Sequence, residues 1–340
     1  MTQPTATAHL TLATPAEQAA RWQIHFAAWG IGFDHGLFLR REAALAETPY
    51  GHHQVRQWLW RADDGRVLAS CETYGSAAWY VDPVGWLSRE PLQSVASVLV
   101  APELRNQGYA AAMMPALVRQ LRAEGTTLST LYSDVGPNLY RRSGYMLHQS
   151  RESFVTVAGA PTWLDATDRL DLSDLADVLA QQDDLASAWL GASAAPAVVE
   201  VAAVDRVAWF ATRSRYRAWA RGQSPNAVVG ASCGNDGVCL WTADSAEPVL
   251  HVLLWRPRDG SGADRLTQAA LAHAATLGLA QVVWWDADRD TGLDPYRRPP
   301  LQPSGITSRD RSTGLPMLAW LTPGRQMPMV WQGIERLGWC

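Results

Sequence analysis

The amino-acid sequence predicts an α/β fold of two domains, each organised around a mixed sheet. Three observations carry that prediction. Short apolar, valine-rich runs alternate with stretches of helical periodicity along the whole chain. The length, 340 residues, suits two hydrophobic cores better than one. A strand–helix–strand order in the first half is echoed, more loosely, in the second.

The elements follow in order. Thr14-Pro15-Ala16-Glu17 reads as a helix start, with an N-cap, proline at the first position and glutamate at the third, and the helix should run to about Trp29. A second helix is expected after Asp34, through LFLRREAALAE. Two strands, Val55–Arg61 and Arg66–Tyr74, flank Asp63-Asp64-Gly65, whose Asp-Gly step marks a hairpin. Ser94–Val100 is a further strand. Gly108 to Glu124 is a helix with Met113, Leu117, Val118 and Leu121 on one stripe, ended by Gly125. Leu128–Ser133 is a strand, Pro137–Arg142 a short helix, and Tyr145–Gln149 and Ser153–Val157 are strands. Ala158-Gly159-Ala160 before Pro161 reads as a linker, giving domains 1–158 and 162–340. The second half should hold helices at Leu170–Leu190, Val201–Arg221 and Ala263–Leu277. Its strands are expected at Ala227–Ser232, Val238–Thr242, Val249–Trp255, Gln281–Trp285, Met317–Leu321 and Met329–Trp331, with a proline-rich loop from Pro295 to Pro303.

Composition narrows the function. Hydrophobic residues make up 47% of the chain, yet no apolar run is long enough to cross a bilayer. MTQPTATAHL has neither a basic nor an apolar leader region, so a cytoplasmic protein with no membrane partner is expected. Net charge is −4 with basic residues dispersed, which argues against a nucleic-acid partner. Cys71, Cys233, Cys239 and Cys340 show no metal-ligand spacing, and the adjacent His52 and His53, read as part of a glycine-containing loop, have no carboxylate or cysteine at ligand distance in sequence. No metal is expected.

The informative run is VASVLVAPELRNQGYAAAMM, Val95 to Met114. A strand ends at Val98-Leu99-Val100, the chain turns through Ala101-Pro102-Glu103-Leu104, and Arg105-Asn106-Gln107-Gly108-Tyr109-Ala110 opens the long helix. The first N–H groups of a helix lack partners and carry partial positive charge, so they can hold a pyrophosphate. Gly108 lets the backbone approach, and the small Ala110 keeps the approach clear. Tyr109 has a plain alternative as a core aromatic. A second run, LYSDVGPNLYRRSGYM (Leu131 to Met146), has a strand, a short helix and a Tyr140…Gly144-Tyr145 ending.

Together these two runs resemble the GNAT acetyltransferases. The resemblance implies the GNAT fold, a mixed central sheet splayed at the cofactor site; the β β β α β β order of the second half, which echoes the first without its motif, reads as a C-terminal α/β domain that is a degenerate GNAT-like copy. The resemblance also implies acetyl-CoA (coenzyme A) as cofactor. Arg105, Asn106, Gln107, Gly108, Tyr109, Ala110 and Ala111 would bind pyrophosphate, and Val98, Leu99 and Val100 would offer backbone groups to pantetheine. Tyr140 matches the tyrosine that protonates the departing thiolate, a role suited to a phenol of pKa ~10; a core tyrosine is the alternative. RREAALAE, Ser70-Cys71-Glu72-Thr73 and Leu131 to Pro137 further resemble fungal-type lysine N6-acetyltransferases over residues ~20–150, while the second half is similar only in layout and in its tryptophan-rich ending.

The implied reaction is attack of a neutral amine on the thioester. Many members of the family supply a base from the strand before the cofactor loop, but Ser94 to Val100 contains no acid. Glu72 and Asp134 are the candidates for base or ammonium contact, and Asp134 could equally cap the short helix. Arg213, Arg215, Tyr216 and Arg217 offer a carboxylate partner for a free amino acid, or form a solvated basic helix face. Trp255, Trp284, Trp285, Trp331 and Trp339 could line a pocket or fill a core. All 29 basic residues are arginine; that fits an amine acetylator sparing itself, and it fits a GC-rich genome. The expected partner is a small-molecule amine. An aminoglycoside or protein N-acetyltransferase, or a non-catalytic acyl-CoA-binding regulator, are the competing functions.

Overall fold

The first helices form where the sequence signals them. Thr14 accepts from Glu17 N while the Glu17 carboxylate accepts from Thr14 N, a reciprocal capping box that starts α1 (Pro15–Trp29). The Asp34 carboxylate accepts from Leu37 N at 2.8 Å and starts α2 (His35–Ala46). Beyond it, Thr48 caps a short helix, α3 (Pro49–Gln54). His52 and His53 lie on this helix rather than in a loop, because Thr48-Pro49 is itself a cap followed by proline. The computed structural model describes residues 8–159, 161–191, 193, 195–287, 306–322 and 330–339. The expected loop at Pro295 to Pro303 lies outside these residues.

The remaining first-half elements are β1 (Ala8–Leu12), β2 (Val55–Ala62), β3 (Val67–Val81), β4 (Leu87–Leu99), α4 (Tyr109–Ala123), β5 (Leu128–Ser133), α5 (Asn138–Arg141), β6 (Met146–Leu147) and β7 (Ser150–Thr156). β1 was not anticipated, and β3 and β4 extend well beyond the expected strands. Gly75-Ser76-Ala77-Ala78 carries little β signal by itself, yet it pairs with Glu90 to Gln93 in a long antiparallel ribbon.

The second half holds β8 (Asp168–Leu170), α6 (Leu175–Gly191), β9 (Ala197–Glu200), α7 (Val204–Ala220), β10 (Gly230–Ser232), β11 (Gly237–Thr242), β12 (Val249–Pro257), α8 (Gly260–Thr276), β13 (Gln281–Ala287), β14 (Ile306–Asp310), β15 (Leu315–Trp320) and β16 (Val330–Gln332). The expected helix from Leu170 starts five residues late. Asp171 and Asp174 bond the backbone of this turn instead, from Ser173 N and Asp171 N respectively, and Leu170 remains in a strand.

Two mixed sheets result. The first runs β1-β2-β3-β4-β5-β15-β6, with β9 on the far part of β3 and β16 beside β9. The second runs β14-β7-β13-β12-β11-β10-β8. The sheets interlock. β7, from the first half, sits between β14 and β13, whereas β9, β15 and β16, from the second half, complete the first sheet. The sheet boundary thus does not follow a cut at residues 158–162.

Alternation gives the first sheet two distinct faces. Cys71, Val95 and Leu131 point to the side where Met113, Met114, Leu117 and Leu121 of α4 pack with Tyr140 and Tyr145. Tyr74 and Ala96 point the other way, among Tyr50, Trp209 and Phe210 of α3 and α7. Tyr132 shares this second face.

Each half contains a parallel strand–helix–strand crossover. β4 and β5 pair in parallel only from Leu92↔Leu128 to Val95↔Leu131, and β12 and β13 only from Val249↔Gln281 to His251↔Val283; beyond these registers each pair diverges. The second half therefore repeats the splayed architecture of the first, as the echo of element order suggested.

Candidate active site

At the splay, β4 carries a bulge. Ser70 pairs with Leu99 and Glu72 with Ala96, so two steps along β3 oppose three along β4, and Ser97 takes a left-handed φ of 52°. The bulge turns the backbone around Val98 out of the regular ladder. No sequence signal marks it, since serine has no preference for that conformation. The longer β4 also contains one acid, Glu90, but this lies at the far end opposite Ala78.

After β4 the chain makes a single 3-10 turn at Pro102–Leu104, and Asn106 (φ 61°) and Gly108 (φ 83°) both adopt left-handed conformations before α4. Gly108 is the N-cap of α4 and makes no side-chain cap bond; the first helical bond is Ala112 N to Gly108 O. A Cβ on Gly108 would meet nothing within 4 Å. The start of α4 is thus an open, uncapped row of N–H donors on an exposed loop, with Arg105, Asn106, Gln107 and Gly108 all exposed and Tyr109, Ala110 and Ala111 half-buried. This arrangement fits a pyrophosphate. Tyr109 packs on the α4 core, as do Val98 and Val100, while Leu99 is buried.

The equivalent helix start in the second half differs. The carboxylate of Asp259 accepts from Gly262 N at 2.7 Å, and a Cβ on Gly262 would collide with Asp236 O at 2.3 Å. A protein carboxylate already fills the position an anion would take.

Tyr140, on α5, is 7% exposed and packs edge-on against Tyr145 at 6.3 Å. Its hydroxyl has no hydrogen bond among the described residues. Burial, with the nearby Cys71 and Asp134, pushes its pKa up to about 12, so the proton is retained at neutral pH. It lies on the α4 side of the sheet.

Glu72 lies on the opposite side. It is buried, its Oε2 accepting from Tyr74 OH at 2.9 Å and its Oε1 from Gln57 Nε2 at 3.4 Å. Two buried groups of α1, one turn apart, accompany it. Arg21 donates to Ser70 Oγ at 2.5 Å, and His25 leaves Nε2 unpartnered. Burial lowers the pKa of both, and the Glu72 charge opposes that shift. Asp134 is exposed at the end of β5 and does not cap the short helix, whose N-cap is Pro137. Its Oδ1 accepts from Gly314 N at 2.8 Å, pinning the turn before β15 to the splay.

The arginines of α7 are not a solvated face, except for Arg215, which is exposed. Arg213 pairs with buried Asp244 at 2.9 Å, and Arg217 donates to Asp244 O and Ile31 O and stacks on Phe33. Among the tryptophans, Trp255 and Trp284 stack within the second core and Trp331 packs behind β5. Trp285 and Trp339 gather beside Tyr132.

A splayed mixed sheet, a bulge on one arm of the splay and an uncapped helix start following it together fit the class of acyltransferases that use acyl-CoA. Comparison with protein families agrees. A model described as an acetyltransferase (GNAT) domain matches residues 56–148, and one described as LYC1 GNAT-like C-terminal domain matches residues 152–340. The chain belongs to the GNAT family and is an acetyl-CoA-dependent acyltransferase. No curated protein matches the chain.

Similar solved structures share the fold. A probable N-acyltransferase from Enterococcus faecalis V583 is 13% identical with a TM-score of 0.56, the match covering 93% of this chain and 73% of that one. A GCN5-related N-acetyltransferase from Kribbella flavida is 18% identical, TM-score 0.55, covering 92% and 71%. Eis1 from Mycobacterium abscessus is 16% identical, TM-score 0.50, covering 93% and 74%.

Proposed function

We propose that the protein transfers the acetyl group of acetyl-CoA to the side-chain amine of a free amino acid of the lysine type. The observation that carries this reading is the division of labour across the splay. Tyr140 has a free hydroxyl on the cofactor face, and Glu72 has a buried carboxylate on the other face beside the β4 bulge. The resemblance of residues ~20–150 to lysine N6-acetyltransferases and the family match of the second half support the acceptor class. In this reading residues 1–158 hold the cofactor and residues 162–340 complete the acceptor side.

Acetyl-CoA supplies a thioester-activated acetyl group. The N–H groups of Arg105 to Ala111 would hold its pyrophosphate, and Val98, Leu99 and Val100 would offer backbone groups to its pantetheine arm. Backbone N–H at Val98 stabilises negative charge developing on the carbonyl oxygen. A lysine-like ammonium, of pKa ~10.4, must lose a proton before it attacks. Glu72 accepts that proton, directly or through water, or fixes the amine in place. Asp134 holds the turn that walls the acceptor side. Tyr140 donates its proton to the departing thiolate.

The test is coenzyme A release from acetyl-CoA against free amino acids, polyamines, aminoglycosides and peptides, with N6-acetyllysine expected from lysine. Tyr140→Phe should lower kcat by about 10²–10³-fold with acetyl-CoA affinity unchanged. Wild-type turnover in that variant would remove Tyr140 from the mechanism. Turnover with another amine but not lysine would discard the acceptor assignment.

A further inference from the structure

Arg311 stands in the turn between β14 and β15 and is 7% exposed. Its guanidinium carbon lies over Trp285, 3.4 Å from the ring centroid, and 5.6 Å from the centroid of the Tyr132 ring. Nη1 donates to Ser150 Oγ at 3.2 Å and Nη2 to Gly314 O. Among the described residues no carboxylate pairs with it. Its neighbours differ in that respect: Arg309 has Glu152 at 2.6 Å, and Arg336 and Arg213 share Asp244. Burial brings the Arg311 pKa down to about 10, which still leaves it charged at neutral pH. Glu152 and Asp134 favour its charge from a distance, but no described carboxylate lies within ion-pair reach, and a buried cation so placed gains from an anion that contacts it directly. Ring stacking and two neutral acceptors compensate only in part.

Its position shows what that anion would be. The Asp134–Gly314 bond and the Leu315↔Ser133 pairing fix the Arg311 turn to the end of β5, at the open side of the splay. Tyr132 and Glu72 share one face of the sheet, with the β4 bulge between them. Paired strands lie ~4.8 Å apart, so β3 and β5 are about 10 Å apart up to the Val95↔Leu131 pair and farther apart beyond it. A carboxylate at one edge and a guanidinium at the other, with the bulge between, suit a molecule carrying an amine on a long arm and an anionic head.

We propose that Arg311, held by Trp285, Ser150 and Gly314, is the subsite that binds the carboxylate of the acceptor. This rests on the acceptor being a small amine, as argued above. Arg213 and Arg217, already committed to the Asp244 segment and Ile31, are excluded from that role.

The experiment compares lysine with lysinamide and cadaverine, which keep the side-chain amine but lack the carboxylate. Wild-type kcat/KM should favour lysine by about 10- to 100-fold over both. Arg311→Gln should abolish the ratio by losing lysine turnover alone, and Arg311→Lys, which keeps charge without the planar fork, should fall between. Calorimetric titration of the same three compounds into coenzyme A-loaded protein should give the same order without requiring turnover. Equal use of acid and amide by the wild type, or equal losses for both in Arg311→Gln, would overturn the subsite and leave amine acetylation standing. If no amine is acetylated, the acceptor reading fails; the titration then still decides the subsite, which is overturned if wild type and Arg311→Gln bind lysine alike.

Discussion

His148 and His273 are buried against tryptophans. His148 meets Trp331 edge-on at 5.6 Å, and His273 stacks on Trp241 at 5.0 Å. Burial lowers each to about 4, from about 6.5. The unfolded chain therefore binds more protons than the native one between these values, so native stability falls as pH falls through that window. Their contribution should be complete above about pH 6.5 and gone below about pH 4. Thermal unfolding across that range should show the slope, and His148→Gln with His273→Gln should reduce it; an unchanged slope would remove these two histidines from the acid sensitivity. Arg311 shows the same desolvation with the opposite outcome, since guanidinium keeps its charge at neutral pH and draws on the negative charge of Glu152 and Asp134.

At the scale of elements, the start of α4 is the most telling. A helix of fifteen residues with no N-cap side chain leaves its first N–H groups to be satisfied from outside. Gly108→Asp should put a negative charge beside the row of N–H donors, at the cost of a side chain on a left-handed backbone, and weaken acetyl-CoA binding at least about tenfold. Fluorescence or calorimetric titration would measure it, and unaltered affinity would put the cofactor elsewhere. This element was legible in sequence, because strand, turn, Gly108 and helix are contiguous. So were α1 and α2, whose Thr14–Glu17 and Asp34 caps act within one turn. What was not legible depended on distant partners. β1 exists because β2 offers an edge, β3 runs on to Val81 because β4 and β9 pair with it, and Ser97 bulges because two strands differ in count. The proposed site divides the same way: the proposed cofactor loop and Tyr140 lie in one stretch of chain, whereas Arg21, His25 and Arg311 come near it only through folding. The arginines of α7 misled because a spacing of two to four residues looks alike on a wet face and on one packed over Asp244.

At the scale of the molecule, the two sheets are tied by exchanged strands. β7 of the first half and β15 of the second lie inside the other half's sheet, with Asp134 bonded to the β14–β15 turn. We expect a single cooperative transition in calorimetry, with calorimetric and van't Hoff enthalpies equal; two resolved transitions would show that the halves fold separately. No helix among the described residues is long and apolar enough to cross a membrane. The exchange also bears on birth of the chain at the ribosome. β5 is made early, but its outer neighbour β15 follows about 180 residues later. At roughly 5–20 residues per second, that edge waits on the order of 10 to 40 s with its hydrogen-bonding groups bare. A nascent chain in that interval already carries the loop before α4 but still has a sticky, incomplete sheet, which is the stage at which a holding chaperone would matter most.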